Sequence, residues 1–206
     1  MNALNAESQN DISPSKAIEL LKAGNTRFLN GNMTARDLNL QQSQTSGGQW
    51  PFAAVLGCID SRVPAELIFD QGIGDLFNAR VAGNFSNTDI LGSLEYSCKV
   101  AGAKAVVVLG HSSCGAVKGA CDGVELGNIT SMLANLKPAI DSVTDETENR
   151  TSSNGGFVQK VVESNVLLTV ADIRRDSPVL KEMEDNGEIV IAAAVYNVAT
   201  GNVEFL

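Results

Sequence analysis

No stretch of the sequence comes near the ~20 consecutive apolar residues that a membrane-spanning helix requires. The opening residues, MNALNAESQNDI, carry neither the basic start nor the hydrophobic run of an export signal. Cations are also in short supply, with 15 Lys and Arg against 24 Asp and Glu and a net charge of −9. An acidic surface of this kind excludes nucleic acid and anionic membranes as natural partners, because both repel it. The expectation is a soluble, cytoplasmic protein. Thiols stay reduced in that compartment, so Cys58, Cys98, Cys114 and Cys121 read as ligands, nucleophiles or small buried apolar groups rather than as two disulfides. Histidine is rarer still: His111 is the only one, so any imidazole chemistry must sit there.

What the chain does have is apolar content, 44% over 206 residues. At this length roughly 70% of the unfolded surface can be buried, so neither disulfides nor a structural metal is needed to hold the fold. Ser13-Pro14 opens an amphipathic helix running to Gly31, and a polar Gln- and Ser-rich loop follows from Asn32 to Gln49. Residues 1–45 read as a helical arm with its loop and 46–206 as the main α/β domain. Short apolar runs predict strands over 52–56, 75–81, 104–110, 189–196 and 203–205. Helical spacing predicts helices over 64–69, 88–100, 114–121, 128–143, 157–175 and 178–186, with a polar, mobile connection from Thr144 to Gly156. Strands alternating with helices predict a mainly parallel β-sheet flanked by helices, with an antiparallel edge strand at the C-terminus.

In such sheets ligands bind beyond the carboxyl ends of the strands. Two chemically rich segments lie there, Cys58-Ile59-Asp60-Ser61-Arg62 and His111-Ser112-Ser113-Cys114-Gly115. If the first continues extended, its period of two turns Cys58, Asp60 and Arg62 to one side. In the second, a three-residue spacing lets the imidazole and the sulfur converge on one ion. Cys58, His111 and Cys114 form the ligand set that suits Zn2+, and three protein ligands leave a fourth position open, as in catalytic zinc sites. Two other motifs fail. A phosphate-cradling cysteine needs an arginine shortly after it, and Gly115 to Cys121 offers only Lys118. Gly72-Ile73-Gly74 lacks the third glycine and the strand-to-helix setting of a dinucleotide loop.

With Cys-x-Asp-Ser-Arg and His-x-x-Cys-Gly in this order, joined by Val81-Ala82-Gly83-Asn84 and Leu94-Glu95-Tyr96, the chain resembles a β-class carbonic anhydrase. The resemblance runs from the N-terminal helix to the C-terminus. It implies zinc on Cys58, His111 and Cys114, an Asp60 and Arg62 dyad beside the metal, and reversible hydration of CO2 to bicarbonate. Asp60 would either accept a hydrogen bond at the metal or ligate it and close the site. The resemblance further implies that Gln49 hydrogen-bonds substrate or a bound anion, that Phe77 and Tyr96 form aromatic walls, and that Ala82 and Gly115 line the pocket. It also implies a homodimer or dimer of dimers in which the neighbouring subunit supplies part of that pocket. Val81 departs from the asparagine that many members carry after the arginine. Two other readings are a same-scaffold hydrolase acting on a small molecule such as carbon disulfide, which needs a narrow apolar tunnel, and a non-catalytic zinc or thiol-redox protein, which needs a fourth ligand or a resolving cysteine.

Overall fold

The computed structural model describes residues 2–206. Five strands form one sheet: β1 (Ala53–Gly57), β2 (Leu76–Arg80), β3 (Ala105–His111), β4 (Val190–Tyr196) and β5 (Val203–Phe205). Their spatial order is β2-β1-β3-β4-β5, parallel throughout except for β5, which pairs antiparallel with β4. The expected mainly parallel sheet with an antiparallel C-terminal edge is therefore the fold observed.

Both faces of the sheet are covered, which is why β1 and β3 read as unbroken apolar runs instead of alternating ones. On one face Ala54, Leu56, Val106 and Val108 pack with the long helix α9 (Gly155–Asp176) through Val162 and Val166. On the other face Ala53, Val55, Val107 and Leu109 meet Ala17 and Leu21 of α2 (Pro14–Leu29) and Ile68 of α4 (Ala65–Ile68). The N-terminal helix thus packs on its own chain's core. α9 lies so close to the end of β3 that a Cβ on Gly110 would come 2.4 Å from a methyl of Val166, so only glycine fits there.

The helices depart from the periodicity reading where side chains other than apolar ones decide. A short α1 (Ala6–Asn10) is held by an Asn5–Ser8 capping box, and its Gln9 amide donates to the carbonyls of Pro51 and Ala101 at 2.7 and 2.8 Å. The expected loop after α2 contains α3 (Leu38–Thr45), capped by Asp37. Its sequence, LNLQQSQT, has no apolar stripe, and the residue it buries is Gln41, which accepts from the Ile73 amide. Helix α5 (Thr88–Glu95) widens into a π-helical turn, Tyr96–Val100. The predicted helix over 128–143 is two, α7 (Gly127–Ala134) and α8 (Lys137–Ser142), with α6 (Gly115–Cys121) before them and α10 (Pro178–Asp185) after α9. Pro138 explains the break, since proline fits the first turn of a helix but not its interior. The polar connection after α8 is pinned by Arg150, which donates to Ile140 and Glu146 carbonyls at 2.6 and 2.7 Å and lies over the Phe157 ring. Among the described residues no helix is long and apolar enough to cross a membrane.

Among the described residues Asp70 is the one carboxylate with no exposed surface. It follows α4 in the left-handed region, φ 47°, a conformation aspartate and asparagine tolerate. Its oxygens receive Arg27 Nε at 2.5 Å, Arg36 Nη1, and the Thr34 amide and hydroxyl. Burial pushes this carboxyl up, but the Arg27, Arg36 and Thr34 hydrogen bonds outweigh it and hold the group at about 2 against the usual 3.8. A depressed carboxylate contributes stability that is complete above the unfolded value and is lost as pH falls toward the folded one. Asp70→Asn keeps the backbone conformation yet leaves two arginines unpaired. It should cost about 3 kcal/mol in urea unfolding at pH 7, and the gap to wild type should shrink between pH 4 and pH 2; an equal gap at every pH would show that charge is not the cause.

Candidate metal centre

β1 and β3 are neighbours in parallel register, Gly57 opposite Leu109, so the chain leaves both strands at the same edge of the sheet. Cys58 follows β1 directly, His111 ends β3, and Cys114 caps α6. All three are buried, and their ligand atoms lie within 4.8 Å of one another, the sulfurs 3.9 Å apart. No other group of this kind occurs among the described residues, and no fourth Cys, His or carboxylate joins this one.

The imidazole is oriented by its other nitrogen. Nδ1 lies 3.0 Å from the Ser112 carbonyl, which can only accept, so Nδ1 carries the proton and Nε2 keeps a lone pair. Nε2 is buried and has no partner within hydrogen-bond distance among the described residues. A buried acceptor facing two sulfurs is costly unless something fills the space between them. The three residues could therefore hold a metal ion. The Ser112 turn is itself fixed by β4 and the segment after it: its amide donates to the Tyr196 carbonyl at 2.9 Å and its hydroxyl accepts from the Val198 amide at 3.0 Å.

The sulfurs are unequal. The Cys114 thiol hydrogen-bonds Cys58 and lowers its pKa against the opposing effect of burial, and His111 and the Gly83 amide lower it further. Cys114 is pushed up by that same hydrogen bond and by burial. Sulfur ligates as the thiolate, so a cation bound between the two would displace thiol protons. Cys98 is separate from them and burial alone raises it to about 12, the environment of an inert thiol; burial also raises Cys121.

Asp60 and Arg62 meet, but not through an extended strand. β1 ends at Gly57, and the Val63 amide donates to the Asp60 carbonyl at 3.0 Å, so the segment is a turn. Arg62 grips the carboxylate with Nε at 2.9 Å and Nη2 at 2.7 Å. This bidentate bond holds Asp60 well below the usual carboxylate range despite some burial. Asp60 Oδ2 lies 3.9 Å from His111 Nε2, so the carboxylate faces the ligand cluster.

The sequence reading missed Arg80. At the end of β2 its Nε donates to the Cys58 carbonyl at 2.7 Å and its Nη2 to the Asp60 carbonyl at 2.6 Å, fixing the loop that carries both. It also missed the Gly83 amide, 3.4 Å from Cys58 Sγ. Its role as a clamp is not readable from residue type or spacing, because its partners are backbone carbonyls 22 and 20 positions away.

Ala82, beside Gly83, and Gly115, beside Cys114, adjoin the ligand loops by chain position. Phe77 and Tyr96 pack edge to face, centroids 6.1 Å apart, along a separate groove of about 570 Å³, and Tyr96 is 51% exposed. Gln49 is exposed on a third hollow with Ser46, Gly47 and Ile73. Within one chain neither of these hollows is lined by Cys58, His111 or Cys114.

A family model described as Carbonic anhydrase matches residues 53–203. The chain is similar to a protein named carbonic anhydrase from Mycolicibacterium smegmatis, 34% identical over 193 residues and covering 93% of each. Among solved structures it is similar to the β-carbonic anhydrase CafA of Aspergillus fumigatus, with TM-score 0.71, 27% identity and coverage of 80% of this chain and 79% of that one. It also resembles a tetrameric β-carbonic anhydrase of Sordaria macrospora, with TM-score 0.67, 26% identity and coverage of 82% and 90%.

Arg80→Ala should lower metal affinity about 10- to 100-fold, the usual cost of losing a group that supports ligands, with little change in the cooperativity of unfolding. Competition with a chromophoric chelator measures this, and wild-type affinity in the variant would show the clamp to be idle.

Proposed function

Because the chain belongs to the carbonic anhydrase family, in its β class, we propose that it catalyses reversible hydration of CO2 to bicarbonate and a proton with Zn2+ on Cys58, His111 and Cys114. One observation carries the assignment of the site: two buried sulfurs and an unpartnered buried imidazole nitrogen share one small space at the carboxyl edge of a parallel sheet. Two sulfurs bound tetrahedrally at about 2.3 Å would lie about 3.8 Å apart, close to the 3.9 Å found. Zinc held there supplies a Lewis acid that makes a water molecule nucleophilic near neutral pH.

The remaining steps belong to the chain. Asp60, kept ionised by Arg62, is an acceptor facing the cluster, suited to orient the attacking water by taking its hydrogen bond. Arg62 occupies both carboxylate oxygens, which favours this role over ligation by Asp60. Arg80 holds the intervening backbone so that Cys58 and Asp60 keep their relative position. Ala82 and Gly115 are small residues next to the cysteine loops in the chain, which suits them to a pocket for a small linear substrate. Gln49, Phe77 and Tyr96 suit the pocket if a second copy presents them, and exposed Tyr96 and Val100 on one π-helical turn give such a copy an apolar surface. The tetrameric relative supports a homodimer or dimer of dimers. The four free thiols fit a cytoplasmic location.

Stopped-flow CO2 hydration together with zinc analysis tests this directly. One zinc per chain and rapid hydration are expected, Cys58→Ala or His111→Ala should lose both, and Asp60→Ala should lose hydration while keeping zinc. A zinc-free protein that is fully active refutes the assignment.

The pH profile has a definite sign. The Cys58 and Cys114 thiolates cancel a divalent charge, so water at the site is less acidic than at a three-histidine carbonic anhydrase centre, where its pKa is about 7. Hydration should rise toward alkaline pH with a midpoint above that value; a rate flat from about pH 6 to about pH 9 contradicts the charge argument.

A further inference from the structure

Cys58 is supported from the opposite side to Arg80 by a chain of two hydrogen bonds that begins on α9. Nine buried residues line the inward side of that helix, and eight are Phe, Val, Ile or Thr with methyl or ring surface facing the sheet or its neighbours. Asn165 is the amide among them, only 4% exposed. A carboxamide in such a place is costly unless its hydrogens are used. Its Nδ2 donates to the Gly83 carbonyl at 2.8 Å, the sole partner of that carbonyl among the described residues. The Gly83 amide in turn points at Cys58 Sγ, 3.4 Å away.

Residue 83 is held at both ends for a reason. Gly83 and Asn84 are consecutive left-handed residues, φ 85° and 43°, and a non-glycine residue there stores strain that persists only if its surroundings impose it. A Cβ on Gly83 would meet both Leu136 methyls at 3.0 Å. The loop is tied to β1 before this point by the Val81 amide on the Gly57 carbonyl at 3.1 Å. After it, the Asn84 amide donates back to the Val81 carbonyl at 2.9 Å within the loop, and Asn165 is the tie that reaches the loop from α9. Without that carboxamide the left-handed Gly83–Asn84 turn loses its anchor to the helix, and the Gly83 N–H is freer to swing off the sulfur.

We propose that Asn165 is a positioning residue for the metal centre: by fixing the Gly83 carbonyl it aims the Gly83 N–H at Cys58 Sγ and limits the charge that sulfur donates to the metal. This deepens the zinc reading and rests on it. A thiolate relieved of a hydrogen bond is a stronger donor, so the ion it binds becomes a weaker Lewis acid, and support of this kind is worth about 10- to 100-fold in metal affinity or activity.

The test uses the full-length protein with cobalt(II) in place of zinc, because thiolate-to-cobalt charge transfer reports the sulfur directly. Asn165→Leu keeps the branching and the number of side-chain heavy atoms and removes the donor. Its charge-transfer band should move to longer wavelength, and its zinc affinity should change by about 10- to 100-fold. Val170→Ala, a cavity on the same helix, supplies a variant of comparable Tm loss and should leave the band in place. If Asn165→Leu binds cobalt with the wild-type band, or if Val170→Ala shifts it equally, Asn165 is only structural and the proposal fails. A wild-type protein with no thiolate-to-cobalt band overturns the metal reading itself, and this proposal with it.

Discussion

Everything at the site depends on the parallel pairing of β1 with β3. Parallel strands that lie side by side send their chains out at the same edge, so two segments separated by 53 positions between Cys58 and His111 emerge together. An antiparallel pairing would put them at opposite ends. The rest follows from this geometry: the cysteine after β1 and the imidazole at the end of β3 are brought together by main-chain hydrogen bonds, not by their attraction for one another. The apolar runs that cover both faces of the sheet hold the register, since a slip of one residue would exchange every buried side chain from one face to the other.

A centre of this kind places polar groups where water is scarce, and the molecule spends several fixed hydrogen bonds to keep them there. Ser112 sets the imidazole, Gly83 faces one sulfur, the start of α6 faces the other, and Arg62 occupies Asp60. Few of these groups can relax independently, because they are backbone carbonyls and amides or an arginine bonded twice. Such preorganisation is what lets electrostatic support act without reorganisation during a reaction. The Asp70 cluster follows the same logic away from the site. There two arginines and a threonine compensate a carboxylate that no water reaches, joining α2, the segment before α3 and the end of α4.

Much of the fold was legible in the residues. The five strands, the long helix over α9 and the antiparallel edge were readable because strongly apolar, β-branched runs and helical spacing leave few alternatives. The elements that were not readable are held by polar side chains: α1 by a capping box and Gln9, α3 by Asp37 and buried Gln41, the α7–α8 break by Pro138. Hydrophobic periodicity carries no trace of these: Gln9 and Gln41 bond groups far along the chain, and the caps and Pro138 act locally through hydrogen bonding and backbone geometry, not through an apolar stripe. At the site, residue identity and spacing picked out Cys58, His111 and Cys114, and the structure brings them within one space. The turn at Asp60 was less legible, because the extended reading and the observed turn both put its carboxylate beside Arg62.

By itself the sequence determined which chemistry was possible. A single imidazole, two cysteines at strand ends and an aspartate with a nearby arginine define a soft ligand set and an ionised acceptor whatever their surroundings, since those properties reside in the side chains. Only the tertiary structure decided how the groups are held. Arg80 and Asn165 act through backbone carbonyls of Cys58, Asp60 and Gly83, and every residue has a carbonyl, so no residue type or spacing announces which one will be grasped. The same reason governs Gln49, Phe77 and Tyr96: their types are suggestive, but where they lie relative to the cysteines is set by chain packing, which puts them in other hollows of the surface.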